Sequence, residues 1–284
     1  MRKLRFSIYT ISVLVVVICC IGLFITKKLL QREVITTFFI SDLKTEEDIV
    51  KATFINDKHV QELYQILKDT TEIFEEAGIM YSIDGGTTLG AVRHQGLIPW
   101  DDDVDLIILE KDEVKLNKLA ATFEKLGYTL SYYLDMYKIS KVGNPVCNKD
   151  DKWNRFTYPY IDIFIMYHNK STKVVEYFKA LNKLFFPLEW FPESVFFPLK
   201  KYKFGPLMVH GPNDPVWYLN NTYGGSWNNE AVIFPKHFQS KYRKEIRVKV
   251  DGVFSEAALP KNSLLDRTAG LKHQIKALCE QIDR

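Results

Sequence analysis

The feature that most constrains the fold of this chain is an acidic run that leads straight into an apolar segment. Aspartates occupy positions 101, 102, 103 and 105, and residues 106–109 are all Leu or Ile. Alternate residues of an extended chain project to one side, so Asp101, Asp103 and Asp105 are predicted to share one face of a strand. Like charges on one face repel, and burying them uncompensated costs on the order of several kcal/mol. Because a divalent cation removes that cost, the run indicates a metal site.

Three other interpretations of the acidic run compete with a metal site. A solvated acidic turn before an ordinary strand is a common arrangement. A calcium loop of the form D-x-[DN]-x-[DN]-G-x5-E is disfavoured, because Leu106 stands at the obligatory glycine and Asp112 at the bidentate Glu. The D-x-D motif of a nucleotide-sugar glycosyltransferase, which holds a cation against a diphosphate, fits these residues as well.

Composition and the N-terminal segment predict the domain organisation. The 284 residues are 46% hydrophobic, which supports one globular domain, and a net charge of +3 without a basic stripe argues against nucleic acid as a partner. Residues 6–26 carry no charge and are long enough to cross a hydrocarbon core of about 30 Å. We therefore predict a short tail (1–5), a transmembrane anchor (6–26), a stem (27–55) and a folded domain (56–284).

Within that domain, the spacing of apolar residues alternates between helical and extended periods. The predicted elements are a helix at 57–78, a strand at 79–83, a helix at 88–94, the acidic strand at 104–109, a helix at 114–126, a strand pair at 128–134 and 136–142, and a strand at 160–167. This order predicts an α+β fold with α/β-type layers, in which helices flank a mixed sheet. The aromatic-rich region 185–227 resists assignment.

Two further features complete a constellation around the acidic run. Residues 84–87 (Asp-Gly-Gly-Thr) lie where a strand runs into a helix, and glycines there permit a tight turn whose helix N-terminus offers N–H groups to an anion. Asp162 is a single acid inside an otherwise apolar strand. A Gly-Gly turn, an Asp-x-Asp strand and a third acid on a neighbouring strand match the plan of nucleotidyltransferases, in which two Mg²⁺ ions clamp the oxygens of a phosphoryl displacement.

This constellation resembles the signature of the LicD family. The first similar stretch, residues 85–105, is GGTTLGAVRHQGLIPWDDDVD, and the second, residues 212–227, has the pattern Pro…Tyr-Leu…Tyr-Gly…Trp. The family includes bacterial phosphocholine transferases and the fukutin and fukutin-related proteins of animals. Its simplest turn is Gly-Thr-Leu-Leu-Gly, where residues 86–90 of this chain are Gly-Thr-Thr-Leu-Gly.

The resemblance implies a nucleotidyltransferase-like catalytic domain. Such a domain transfers a phospho-alcohol (phosphocholine, ribitol phosphate) from a CDP-linked donor to a glycan hydroxyl and releases CMP. The catalytic residues implied by position are Asp101, Asp103, Asp105 and Asp162, of which the last three would hold Mg²⁺ or Mn²⁺. The residues expected to bind the donor are Gly85, Gly86, Thr87 and Arg93. Asp101 is expected to complete the metal shell or to accept the proton of the acceptor hydroxyl.

Two rival functions stay open on the sequence. One is a D-x-D glycosyltransferase that uses a nucleotide sugar, and the other is a non-catalytic, membrane-tethered relative that binds glycan. The predicted anchor indicates a single-pass type II membrane protein of the Golgi or another secretory membrane, with its domain in the lumen. A bacterial membrane-anchored protein is the alternative.

Overall fold

The computed structural model describes residues 45–147, 156–233 and 246–281 of the chain. The helices in these ranges are α1 (Glu46–Thr53), α2 (Asp57–Glu76), α3 (Gly85–Arg93), α4 (Glu113–Lys118), α5 (Ala120–Lys125), α6 (Ala180–Phe185), α7 (Glu193–Phe196), α8 (Pro215–Tyr223) and α9 (Lys272–Glu280). The strands are β1 (Tyr81–Ile83), β2 (Asp103–Leu109), β3 (Tyr128–Tyr133), β4 (Met136–Lys141), β5 (Tyr160–Asn169), β6 (Val174–Tyr177), β7 (Trp190–Pro192), β8 (Lys200–Phe204), β9 (Leu207–Gly211), β10 (Glu230–Ile233) and β11 (Ile246–Lys249).

A mixed sheet forms the centre of the described part of the chain. Its strand order is β1-β2-β5-β4-β3, with β6 paired to the second half of β5 and β7 paired to β6. Strands β2 and β5 run parallel, whereas β1 pairs antiparallel with β2 and β4 antiparallel with β5. Helices flank this sheet, so the predicted α+β fold with a mixed sheet is confirmed.

Strand β2 is buried on both faces, and this fixes where its acids lie. Leu106 and Ile108 pack in one apolar cluster together with α2, whereas Ile107 packs in a second cluster. Since strand side chains alternate, Asp103 and Asp105 project to the same face as Ile107. The acids therefore stand at the amino end of β2, beside the second cluster.

Helix α2 has capping residues at its two ends and apolar residues at helical spacing, which explains why the sequence predicted it well. The Asn56 side chain accepts a hydrogen bond from the His59 N–H at its N-terminus, and Gly78 follows the helix with a positive φ of 64°. The buried side chains of the helix recur at helical spacing and include Val60, Leu63, Leu67 and Phe74.

Other predicted elements differ in their bounds. The helix predicted at 114–126 is two short helices that meet at Leu119, where ψ is −2° and leaves the α-helical range. The helix predicted at 88–94 begins at Gly85, whose positive φ of 44° makes the turn out of β1. The unassigned region 185–227 contains β7, α7, β8, β9 and α8, and its aromatic side chains belong largely to the second apolar cluster.

The predicted localisation needs correction. In residues 45–147, 156–233 and 246–281, we find no helix with the length and apolar character that a membrane span requires. This finding overturns the localisation as a single-pass membrane protein, and the anchor predicted at 6–26 lies outside the described residues. The stem predicted at 27–55 ends in packed structure, because residues 46–53 form α1 and the Phe54 ring lies 5.8 Å from Trp100 and 5.9 Å from Phe254 between centroids.

Candidate functional site

The three acids predicted to hold metal meet across two neighbouring strands. Asp105 of β2 is paired with Asp162 of β5, and Asp103 is paired with Tyr160. Parallel pairing places residues of equal parity on the same face, so the third acid stands beside the first two. The apolar strand that carries Asp162 thus brings it to the position that the constellation predicted.

The carboxylates are close enough to share one cation. Oxygen atoms of Asp103, Asp105 and Asp162 lie within 4.8 Å of one another, and those of Asp101, Asp102 and Asp103 form a second such group. Asp103 and Asp162 are only 7% and 5% exposed, so water relieves little of their mutual repulsion. Carboxylate oxygens are the ligands that suit Mg²⁺ and Mn²⁺.

The pKa of Asp105 reflects the electrostatics of the carboxylate cluster. Burial, and then the charges of Asp103 and Asp162, raise the pKa of Asp105 well above its ordinary value. Holding this group ionised therefore costs free energy in the metal-free protein. A bound divalent cation favours the ionised form, because it is the largest charge at the site.

The Gly-Gly turn is packed directly against the acidic run. A Cβ on Gly86 would lie 2.6 Å from Asp101 Oδ2, and one on Gly85 would lie 3.1 Å from Asp105 Oδ2. The Asp84 N–H also donates to the Asp105 carbonyl oxygen at 3.1 Å. A side chain at either glycine would therefore have to displace a carboxylate of the acidic run.

Thr87 and Arg93 were both predicted to bind the donor, but only Arg93 lines the cavity. Thr87 is 2% exposed, does not line the cavity, and its hydroxyl accepts a hydrogen bond from the Asp105 N–H at 2.8 Å. It therefore ties α3 to β2. Arg93 lines the cavity and donates through Nη1 to the Trp227 carbonyl oxygen at 2.6 Å. Burial lowers the pKa of Arg93 to about 10, and the nearby charges of Tyr223 and Asp101 oppose that effect.

A cavity of about 710 Å³ opens over these residues. Its wall includes Gly85, Gly86, Arg93 and the four aspartates Asp101, Asp103, Asp105 and Asp162, and in addition Asp102. Aromatic side chains form much of the remaining wall, including Trp100, Tyr133, Phe156, Tyr160, Phe186, Tyr223 and Trp227. The cavity therefore combines a negatively charged floor, which can hold a cation, with aromatic sides, which suit a flat ring.

Sequence reasoning missed a buried hydrogen-bond network below the turn. The Tyr177 hydroxyl lies 2.8 Å from Asp84 Oδ2 and 2.5 Å from Glu189 Oε2, and the Tyr218 hydroxyl bonds Asp84 Oδ1 at 2.8 Å. A tyrosine hydroxyl has one proton to donate, so Tyr177 satisfies both carboxyls only if one of them is protonated. Burial, and then the charge of Asp84, raise the pKa of Glu189 to about 8, and burial also raises the pKa of Asp84, so both shifts favour a proton held by this pair of carboxyls.

The sequence leaves two interpretations of Lys138, a solvated strand lysine, which it favours, and a lysine that touches phosphate, and the structure buries this side chain in the site. Its ammonium lies 2.5 and 2.7 Å from the two oxygens of Asp162. The signal that finds it is the antiparallel register of β4 and β5, which pairs Lys138 with Asp162. That register depends on the intervening loop and is not visible in local spacing.

The central sheet, its adjacent carboxylates and the Gly-Gly turn define a nucleotidyltransferase-type domain. Residues 78–214 match the family described as LicD/FKTN/FKRP, nucleotidyltransferase domain. The chain belongs to the LicD family.

Several relatives share parts of the sequence. The uncharacterized protein RP689 of Rickettsia prowazekii is 38% identical over 191 residues, and these are 67% of this chain and 64% of that protein. The lipopolysaccharide cholinephosphotransferase LicD of Haemophilus influenzae is 54% identical over 39 residues, which are 14% of each chain. The human ribitol 5-phosphate transferase FKRP is 52% identical over 40 residues, which are 14% of this chain and 8% of FKRP. The chain therefore spans less than two thirds of RP689 and small parts of the other two.

Proposed function

We propose that this protein is a magnesium-dependent phosphotransferase, which moves a phospho-alcohol from a CDP-linked donor to a glycan hydroxyl and releases CMP. The transferred group would be phosphocholine or ribitol phosphate, the groups named in two of the relatives. The observation that carries the proposal is the meeting of Asp103, Asp105 and Asp162 within 4.8 Å beside the Gly-Gly turn. A cation held there would lie next to a helix N-terminus, which favours phosphate.

The donor set of the site fits Mg²⁺, with Mn²⁺ as the alternative. All three groups are carboxylates, two of them are more than 90% buried, and burial together with their repulsion raises the pKa of Asp105. When bound, the ion would neutralise charge on the diphosphate and on the oxygen of the leaving CMP. Asp103, Asp105 and Asp162 would hold it.

The other residues of the cavity would position the donor and the acceptor. The turn at Gly85 and Gly86 lets a phosphate approach the backbone of α3 without a side chain in the way. Arg93 would stabilise the negative charge on the departing CMP. Asp101, which is partly exposed in the cavity, would accept the proton of the attacking hydroxyl.

The proposed step forms one bond to phosphorus and breaks another. The acceptor oxygen forms a bond to the phosphorus of the phospho-alcohol, and the bond from that phosphorus to the CMP oxygen breaks. The proton of the acceptor hydroxyl goes to Asp101, and the electron pair of the broken bond stays with CMP. Transfer of this kind depends on position and charge stabilisation more than on covalent catalysis.

The proposal is tested by CMP release from CDP-choline and CDP-ribitol in the presence of Mg²⁺. We expect the double variant Asp103→Asn with Asp105→Asn to lose at least a thousandfold in kcat/KM. A matched double variant, Asp57→Asn with Asp266→Asn, changes two exposed acids outside the cavity and should keep its activity. Undiminished turnover in the first variant would refute the metal assignment. Release of UDP or GDP from a nucleotide sugar, without CMP release, would assign the protein to the glycosyltransferases.

A further inference from the structure

Lys138 is a buried cation held between a carboxylate and two aromatic rings. Its side chain is 6% exposed, and its Nζ contacts both oxygens of Asp162. The same Nζ lies 4.0 Å from the ring centroid of Tyr160 and 4.9 Å from that of Phe156, distances typical of cation–π contacts. These contacts fix the ammonium in one position.

That position belongs to the active-site cavity. Across the sheet, Asp105, Asp162 and Lys138 form one row, because Asp162 pairs with Asp105 on one side and with Lys138 on the other. Lys138 lines the cavity, and with Arg93 it supplies the basic side chains of the wall as far as the chain is described. A cation therefore stands immediately next to the predicted metal ligands.

The hydrogen-bonding capacity of the ammonium is only partly used by Asp162. A protonated lysine has three N–H donors, and the hydrogen bonds of Lys138 to described residues are the two to Asp162. A carboxylate oxygen has two lone pairs, so Asp162 can accept from Lys138 and still offer a lone pair to a metal ion. One donor of Lys138 is left for a ligand in the cavity.

We propose that Lys138 is a phosphate-binding residue, which holds the diphosphate of the substrate through the donor that Asp162 does not use. This inference rests on the proposed function for the identity of the substrate. Asp162 anchors the ammonium, the two rings shield it, and the phosphate oxygen receives a charge-assisted hydrogen bond next to the metal.

The chain offers a closely matched control in Lys179. Its Nζ bonds both oxygens of Glu113, at 2.8 and 3.0 Å, and lies 5.3 Å from the Phe178 ring and 5.9 Å from the Tyr132 ring. Lys179 thus has the same kinds of partners as Lys138, but it does not line the cavity. The Lys179–Glu113 pair is more exposed, at 21% and 19% against 6% and 8% for Lys138–Asp162, so Lys179→Met controls for the loss of a lysine–carboxylate pair outside the cavity.

The test measures binding of inorganic pyrophosphate with Mg²⁺ by calorimetry, together with CMP release from CDP-choline and CDP-ribitol. Loss of one charge-assisted hydrogen bond predicts that Lys138→Met weakens pyrophosphate binding by about 10- to 100-fold. Lys138→Arg should restore most of the affinity, and Lys179→Met should bind as the wild type does. Thermal melts of each variant verify the fold, and Lys138→Gln replaces the Met variant if that one does not fold.

The outcomes separate this inference from the proposed function. Normal pyrophosphate binding by Lys138→Met, with CMP release intact in the wild type, overturns the role of Lys138 and leaves the proposed function standing. Lysine-dependent pyrophosphate binding without CMP release from either donor supports the role of Lys138 and refutes the proposed donor. A wild-type chain that binds no pyrophosphate overturns the role of Lys138, whatever its CMP release.

Discussion

Asp105 and Asp162 stand opposite each other on the parallel strands β2 and β5, two carboxylates held side by side by backbone pairing. Both strands carry apolar residues on each side of their acids and are buried in the centre of the sheet. The strands cannot separate to relieve the repulsion without breaking the core. The fold therefore stores electrostatic repulsion at the place where a cation would relieve it.

The first prediction is that Asp105→Asn stabilises the metal-free protein. Because the pKa of Asp105 is raised in the folded state, the stability that its protonated form contributes is lost as the pH rises through that pKa. In EDTA, the variant should melt above the wild type at pH 8, and the difference should shrink towards pH 4. A gain of about 1 kcal/mol corresponds to about 2–4 °C in a domain of this size.

Saturating Mg²⁺ supplies the internal check on that prediction. The ion should raise the melting temperature of the wild type and have little effect on that of Asp105→Asn. The difference between the two melting temperatures should therefore vanish or change sign. Asp266→Asn, at an exposed position, should follow the wild type throughout. If Asp105→Asn melts below the wild type in EDTA at pH 8, the claim that the carboxylates repel one another in the metal-free protein is wrong.

The second prediction concerns the turn. Gly86→Ala places a Cβ 2.6 Å from Asp101 Oδ2, so the Asp101 carboxylate must move. Displacement of a group that accepts a proton should lower kcat by about 100-fold or more, since general-base catalysis contributes about 10²–10⁴. Gly270→Ala is the matched control, because a Cβ there meets nothing within 4 Å. Steady-state kinetics decide, and equal kcat values for the two variants would place Asp101 outside the reaction.

The third prediction is a pH dependence of stability that originates at Glu189. The pKa of Glu189 is about 8 in the folded protein, above the 4.5 of the free side chain, so the folded state holds this proton more tightly. The resulting stabilisation is complete below pH 4.5 and is lost as the pH rises through 8. Glu189→Gln mimics the protonated acid and should melt above the wild type at pH 8.5.

At pH 5 the Glu189→Gln variant and the wild type should melt together, because the wild-type carboxyl is already protonated. Glu256→Gln changes an exposed acid and should show no such pH-dependent difference. A constant gap between Glu189→Gln and the wild type from pH 5 to pH 8.5 would show that Glu189 is ionised throughout.

The spacing of residues within one strand or one helix correctly predicted the features that depend only on that element. The alternation of Asp103 and Asp105 placed both on one face, and the apolar stripe of α2 gave that helix nearly residue by residue. The lone acid in an apolar strand was enough to suggest Asp162 as their partner. These signals work because side-chain direction follows from the period of the backbone.

The remaining features depend on contacts between distant segments. Lys138 is buried because the register of β4 and β5 pairs it with Asp162, and no spacing within β4 encodes that register. The role of Thr87 as a tie to the Asp105 N–H and the sharing of Tyr177 by two carboxyls also join distant residues. Region 185–227 combines short strands with short helices, whose aromatic residues obey no single period.

The most direct test of the account is a Mn²⁺ titration followed by electron paramagnetic resonance in the presence of CDP. The wild type and Asp57→Asn should bind Mn²⁺ with equal affinity, whereas Asp162→Asn should bind it at least tenfold more weakly, since that variant removes one of three ligands. Equal Mn²⁺ affinity in Asp162→Asn and the wild type would contradict the claim that β2 and β5 together hold the cation.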